Sequence, residues 1–140
     1  MPGYSGTPLA KKLGLKDHFR AALLHVPDDV KNELRDSLAK CIIANSSKAL
    51  DFIFLFVKSR AALELDLLRS AKSLAPAGML WISWPKKSSG VSTDLTGDIV
   101  RQAGLDVGLV DVKVCAVTDV WSALKFVIPL KNRPANKSLK

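Results

Sequence analysis

The chain predicts an α/β fold of three layers: a mostly parallel sheet between helices, ending in an antiparallel hairpin at its carboxyl end. Three observations predict it. Short apolar runs alternate with stretches whose apolar residues recur every three or four positions, the alternation of strand and helix that builds a parallel sheet. One run, DFIFLFV (51–57), is almost continuously apolar, as strands covered on both faces are. The last two runs are separated only by Thr118, Asp119 and Val120, too few residues for a parallel crossover and suited to a hairpin.

The 140 residues suffice for one domain, placed at 1–128, with a basic tail at 129–140. A short capping helix is expected over 8–13. Thr7 is its cap, Pro8 its first residue, with no amide to leave unpaired, and Gly14 its stop, able to take a positive φ. Leu9 and Leu13 then dock on the body while Lys11 and Lys12 face water. RAALLHV (20–26) reads as the first strand, and Pro27, Asp28 and Asp29 start a helix with Val30, Leu34 and Leu38 on one face to about Lys40.

CIIAN (41–45) reads as the second strand and DFIFLFV as the third, with only residues 46–50 between them. A parallel crossover normally takes a dozen residues or more, so two solutions stand: a local hairpin, or a very short second strand followed by an extended crossing. Ser59 caps a helix built on Leu63, Leu67, Ala71 and Leu74, which APAG (75–78) stops. MLWISW (79–84) is the fourth strand and WPKKSSGVS (84–92) a loop. Thr93 caps the next helix, with Leu95, Ile99 and Ala103 inward and Gly104 at its end. GLVDVKVCAV (108–117) and WSALKFVI (121–128) form the hairpin, and the alternation of Asp111 and Lys113 with Val110, Val112 and Val114 puts it at a sheet edge.

Composition narrows the function classes. Hydrophobic residues make up 48% of the chain, which excludes a disordered polar segment. The apolar run at 50–57 falls well short of the roughly 20 residues that span a bilayer. MPGYSGTPLAKKLG lacks the apolar core and cleavage site of a secretion signal, so a cytoplasmic protein without membrane contact is expected. Cys41 and Cys115 lie far apart without a CxxC pattern and read as buried free thiols. His18 and His25 have no second ligand at metal spacing, so no metal site is expected. Half of the net charge of +8 sits in the tail, on Lys131, Arg133, Lys137 and Lys140. That tail reads as solvated or, alternatively, as an arm for nucleic acid.

The order of elements resembles the carboxyl-terminal half of a class I methyltransferase sheet, a Rossmann-like architecture. Asp51 at the opening of its strand and LAPAGMLWISW (74–84) carry the resemblance, which covers 20–128 as a pattern of elements. It implies a glycine-rich turn after the first strand and commonly an acid after the second, for the ribose of the cofactor. Here the first position reads His25, Val26, Pro27, Asp28, Asp29, and the second reads Asn45, Ser46, Ser47. The absence of both signatures argues against S-adenosylmethionine catalysis, and no cofactor is assigned. At the level of residues, YSGTPLAKKLG (4–14), WPKKSSGVSTDLT (84–96) and GLVDVKVCAVTDVWSALKFV (108–127) resemble a bacterial domain-of-unknown-function family of small proteins. That resemblance implies kinship and no activity.

Ligands of open α/β sheets gather at the carboxyl ends of the strands. Those ends read His25, then Asn45, Ser46 and Ser47, then Lys58, Ser59 and Arg60, then Lys86, Lys87, Ser88, Ser89 and Gly90. An anion-binding set follows: Lys58, Lys86 and Lys87 as charges, Arg60 as a fork, Ser88 and Ser89 as donors. Asp94 and Asp98, at the start of the next helix, oppose it. No nucleophile elbow is present and no catalytic residue is assigned; His25 near Asp28 and Asp29 is a base candidate, with a structural role favoured. Trp81 and Trp84, three apart on one strand, point to opposite faces, Trp81 into the core. Trp84 is placed either in the core or to stack on a base. Phe52, Phe54 and Phe56 form one packed face. The leading reading is a non-catalytic or cryptic ligand-binding domain for an anionic small molecule. The alternatives are a nucleic-acid-associated basic protein and an interaction module that pairs through its final hairpin.

Overall fold

The computed structural model describes residues 7–45 and 48–133. Its six strands are β1 (Arg20–Leu24), β2 (Ile42–Ile43), β3 (Leu50–Phe56), β4 (Leu74–Pro85), β5 (Val110–Ala116) and β6 (Trp121–Val127), joined in one sheet of order β2-β1-β3-β4-β6-β5. β2, β1, β3 and β4 pair in parallel, and β6 lies antiparallel between β4 and β5. The fold is therefore the predicted one, a mostly parallel sheet closed by an antiparallel hairpin with β5 at the edge.

The second strand forms no hairpin with the third: it is very short and pairs in parallel with β1, which lies between them. β2 pairs with β1 only at Arg20↔Ile42 and Ala21↔Ile43, on the side of β1 away from β3. Because β2 is two residues long, the chain has little distance to recover before entering β3. Side chains replace part of the missing ladder: Asn45 Oδ1 accepts from the Leu23 amide at 2.9 Å, and Asp51 Oδ2 accepts from the Arg20 amide at 2.9 Å.

Helices cover both faces. α1 (Leu9–Leu13) and α2 (Asp28–Glu33) contribute Leu9, Leu13 and Val30, and Leu34 joins them from the break before α3 (Arg35–Leu38), in a core with Phe52, Phe54, Phe56 and Trp81. α4 (Arg60–Lys72) and α5 (Gly97–Asp106) contribute Leu63, Leu67 and Val100 to a second core with Ile53, Leu55, Ile82, Trp84 and Phe126. Alternate residues of β3 thus enter opposite cores, which is why its sequence is apolar almost throughout. Among the described residues, no helix is long and apolar enough to cross a membrane.

Several boundaries differ from expectation. Pro8 is the N-cap of α1 rather than its first residue, and Lys12 reaches the Ala116 carbonyl at 3.3 Å rather than standing in water alone. The predicted helix to Lys40 is broken at Leu34, whose φ of −94° and ψ of 0° leave the helical range between α2 and α3. α4 ends at Lys72, so Leu74 opens β4 and APAG falls inside the strand as an irregularity. Leu50 pairs with Leu74 but Phe52 pairs with Met79, so two residues of β3 are matched by five of β4. Gly78 belongs there because any Cβ would collide with the Leu50 carbonyl oxygen. Thr96, not Thr93, caps α5, accepting from the Ile99 amide at 3.2 Å. Gly104 lies within α5, not at its end, and meets the Phe126 ring so closely that a Cβ would overlap it.

Candidate switch-point cleft

After β1 the chain moves outward to β2, then returns to place β3 and β4 on the other side. The strand order therefore reverses between β1 and β3, and the crevice above their carboxyl ends is where open α/β sheets hold ligands. A cleft of about 710 Å³ lies there, lined by His25 and Pro27 after β1, Phe56 and Lys58 at the end of β3, Asp66 of α4, and Trp121 of β6. Its floor is aromatic, the Phe56 and Trp121 rings meeting edge-on at 4.8 Å between centroids.

His25 stands where a glycine loop is missing. Its φ of 61° is left-handed, a conformation uncommon outside glycine that ends β1 sharply. Its side chain has a partner: His25 Nε2 lies 3.1 Å from Asp66 Oδ2, and Asp66 Oδ1 accepts from Arg69 Nη2 at 3.3 Å. The Asp66 side chain is 8% exposed and that of His25 64%, so a buried carboxylate orients an imidazole that faces out. With Nε2 turned to Asp66, Nδ1 is the ring nitrogen available to a ligand.

The partner of His25 is thus Asp66, and not Asp28 or Asp29, which lie exposed in the first turn of α2. Asp66 was not among the predicted site residues. A signal was present: Leu63, Asp66, Leu67 and Ser70 follow the i, i+3, i+4, i+7 spacing of the buried stripe, and a carboxylate on such a stripe needs a partner.

The six predicted anion-binding residues are distributed rather than gathered. Of the six, Lys58 alone lines the switch-point cleft, and its carbonyl accepts from Thr93 Oγ1 at 2.6 Å. Arg60 opens α4 and lines a separate groove of about 550 Å³ between α4 and α5; its amide donates to Asp94 Oδ1 at 2.9 Å. Lys86 through Ser89 form a tight turn after β4. There the Lys86 amide donates to the Val120 carbonyl at 2.7 Å, and Ser89 Oγ donates to the Lys86 carbonyl and accepts from the Val91 amide. Ser89 is therefore engaged in holding the turn, while Lys87 and Ser88 are exposed.

Asn45 serves the β1 backbone, and Ser46 and Ser47 lie outside the described residues. In the tail, Lys131 sits in a short 3-10 turn and Arg133 Nε donates to the Ile128 carbonyl at 2.9 Å; Lys137 and Lys140 lie outside the described residues. Trp84 is buried beside Gly97 and presents no stacking face, and the Trp81 indole donates to the Leu13 carbonyl at 2.9 Å. Cys115 is buried and Cys41 half-buried; burial raises both thiols above their ordinary pKa, and the charge of Asp17 adds to this at Cys41.

Comparison with known proteins places the fold. No family model matches the chain, and no curated protein matches it. Among solved structures, it is similar to a TehB-like SAM-dependent methyltransferase from Corynebacterium glutamicum, with a TM-score of 0.53 at 10% identity over 90% of each chain. It is also similar to a SAM-dependent methyltransferase from Aquifex aeolicus, with a TM-score of 0.52 at 17% identity over 86% of this chain and 88% of that one. A SAM-dependent O-methyltransferase from Thermotoga maritima gives a TM-score of 0.54 at 10% identity over 91% of this chain and 67% of that one. At such identities the likeness is one of fold. The chain has a Rossmann-like, methyltransferase-like α/β fold.

Proposed function

We propose that the chain is a non-catalytic ligand-binding domain whose switch-point cleft holds an anionic small molecule with an apolar or planar body. The observation that supports this reading is the make-up of the cleft. Phe56, Val57, Val120 and Trp121 supply apolar wall, Lys58 supplies a cation at the rim, and His25 presents a ring held in place by Asp66. A body on the aromatic floor with a phosphate or carboxylate toward Lys58 uses each of these groups.

A thermal-shift and calorimetric titration with AMP, phenyl phosphate and benzoate tests the reading. Saturable stabilisation by one of the anions, lost in Lys58→Ala and weakened in His25→Ala, is the expected result. No shift with any of the three at millimolar concentration overturns it.

A second reading takes the cleft for S-adenosylmethionine, after which the similar structures are named. The fold likeness over 90% of each chain favours it. The residues at the head of β1 do not fit that group. A cofactor in this seat is approached by backbone amides at a glycine turn and a helix N-terminus. Here His25 occupies the turn with a side chain, Pro27 has no amide to donate, and Asp28 and Asp29 open α2 with negative charge. Asn45, bonded to the Leu23 amide, stands after β2 in place of a ribose-binding acid. Saturable binding of S-adenosylmethionine that Lys58→Ala abolishes would favour this second reading over the first.

A further inference from the structure

A second cavity, of about 310 Å³, opens on the α4 face of β1, between that strand, α4 and the approach to β3. Ala22, Leu24 and Ile53 give it an apolar floor, and Asn45, Lys48, Arg69 and Ser70 supply its polar groups. It is distinct from the switch-point cleft, with which it shares no lining residue.

Ser70 makes this cavity more than a surface dent. The residue is 3% exposed, and its Oγ is the one buried side-chain polar atom without a hydrogen-bond partner among the described residues. A buried hydroxyl without a partner is destabilising, and one that lines a cavity can take its partner from what enters that cavity. The groups around it are donors. The Arg69 side chain is 76% exposed and touches Asp66 through one nitrogen, leaving most of its guanidinium fork open. Asn45 uses its carbonyl oxygen on the Leu23 amide, so its NH₂ is the end that remains.

Charge favours the same conclusion. Among the described residues no carboxylate lines the cavity, and the Arg20 guanidinium is held to the Lys48 carbonyl at 3.5 Å. Asp51 and Asp66 stand nearby, but each is engaged: Asp51 with the Arg20 amide, Asp66 with His25 and Arg69. The carboxyl end of α4 opposes an anion, and Arg69 and Lys72 in its last turn offset that end of the dipole.

We infer that this cavity is a second binding site, for a small organic anion whose aliphatic body lies on Ala22, Leu24 and Ile53. Its carboxylate or phosphate accepts from Ser70 Oγ, with Lys48 and Arg69 on either side. The site is independent of the reading given to the switch-point cleft.

The test is an NMR titration of the full chain with hexanoate, hexyl phosphate and hexanol, following backbone amides. Saturable shifts at Asn45, Lys48, Ser70 and Ser73 are expected with at least one anion and not with hexanol, and the tighter anion identifies the head group. His25 and Lys58 report separately on the other cleft. Ser70→Ala should weaken the anion about tenfold, as loss of a hydrogen bond to a charged group does. The same change should leave the melting temperature of the ligand-free protein unchanged or higher, because it removes an unpartnered hydroxyl. Lys48→Met should weaken binding as well. The inference is overturned by an absence of saturable shifts, by shifts confined to His25 and Lys58, by equal binding of hexanol, or by Ser70→Ala binding like the parent. A Ser70→Ala protein that melts several degrees lower also overturns it, since the hydroxyl would then have a structural partner.

Discussion

The two flanks of the crevice are built to different standards. On one side β4 and β6 pair over seven consecutive positions, from Met79↔Val127 to Pro85↔Trp121, with Trp81, Ile82 and Phe126 fully buried. On the other, β1 and β2 meet at two positions, and Ile42 and Ile43 are 53% and 48% exposed. The long flank carries the stability. The short flank substitutes side-chain bonds from Asn45 and Asp51 for ladder, and the Ser70 cavity opens beside it. Binding surfaces are drawn from the less stable parts of a fold, because concavity there costs little packed core.

Substitutions can break this contrast or sharpen it. The largest effect is expected from Trp81→Ala in the long flank, a loss of about 3–5 kcal/mol in denaturant unfolding from the cavity it leaves and the stranded Leu13 carbonyl. Gly104→Ala should follow at about 1–3 kcal/mol, because the new Cβ overlaps the Phe126 ring. Its sign is informative, since alanine otherwise gains about 1 kcal/mol over glycine inside a helix. A stabilised Gly104→Ala protein would show that the Phe126 ring gives way to the new methyl at little cost.

At the crevice itself, Asp66→Asn should cost about 1–2 kcal/mol, by removing a buried charged acceptor from His25 and Arg69. Combined with His25→Ala, the cost should be less than the sum of the two; strict additivity in that cycle would show that the pair is not coupled.

Lys125 in β6 gives a pH-dependent case. Burial, and then the neighbouring Lys113, lower its pKa from 10.5. The folded state thus disfavours the ammonium, and the penalty is present in full below the lowered value and fades as pH rises toward that of the unfolded chain. Lys125→Met should therefore be modestly more stable than the parent at neutral pH, with this electrostatic gain gone above pH 10.5. A gain independent of pH would assign the effect to packing alone. Ile42→Thr, on the short flank, should change stability by no more than about 0.5 kcal/mol.

The third strand and the closing hairpin were the most legible parts. DFIFLFV and WSALKFVI read as strands because both of their faces meet a core, and the three-residue link before Trp121 left only a hairpin. What escaped the sequence depended on partners distant along the chain. Thr93 and Thr96 are both plausible caps; the bond from Thr93 to the Lys58 carbonyl, 35 residues away, leaves the capping to Thr96. APAG reads as a helix stop, yet strand pairing with Leu50 begins before it. The spacing of Val30, Leu34 and Leu38 reads as one helix, and nothing in it announces the break at Leu34.

The candidate site was half legible. The carboxyl strand ends pointed to Lys58 and His25, but reading α4 by its apolar residues alone passed over Asp66 and Ser70 on the same stripe. The predicted cluster dispersed because neighbouring strand ends at one edge need not open into one cavity: Arg60 turns into the groove between helices, and Ser89 is consumed by its own turn.

The left-handed turn at His25 has a further consequence. Where glycines form this turn, whatever lies against it meets backbone, which is the same for every sequence. Here the contact surface is an imidazole. Recognition at the head of β1 thereby becomes heritable at a single codon: one substitution at position 25 rewrites what the crevice presents and, by taking a partner from the buried Asp66, acts on the scaffold as well.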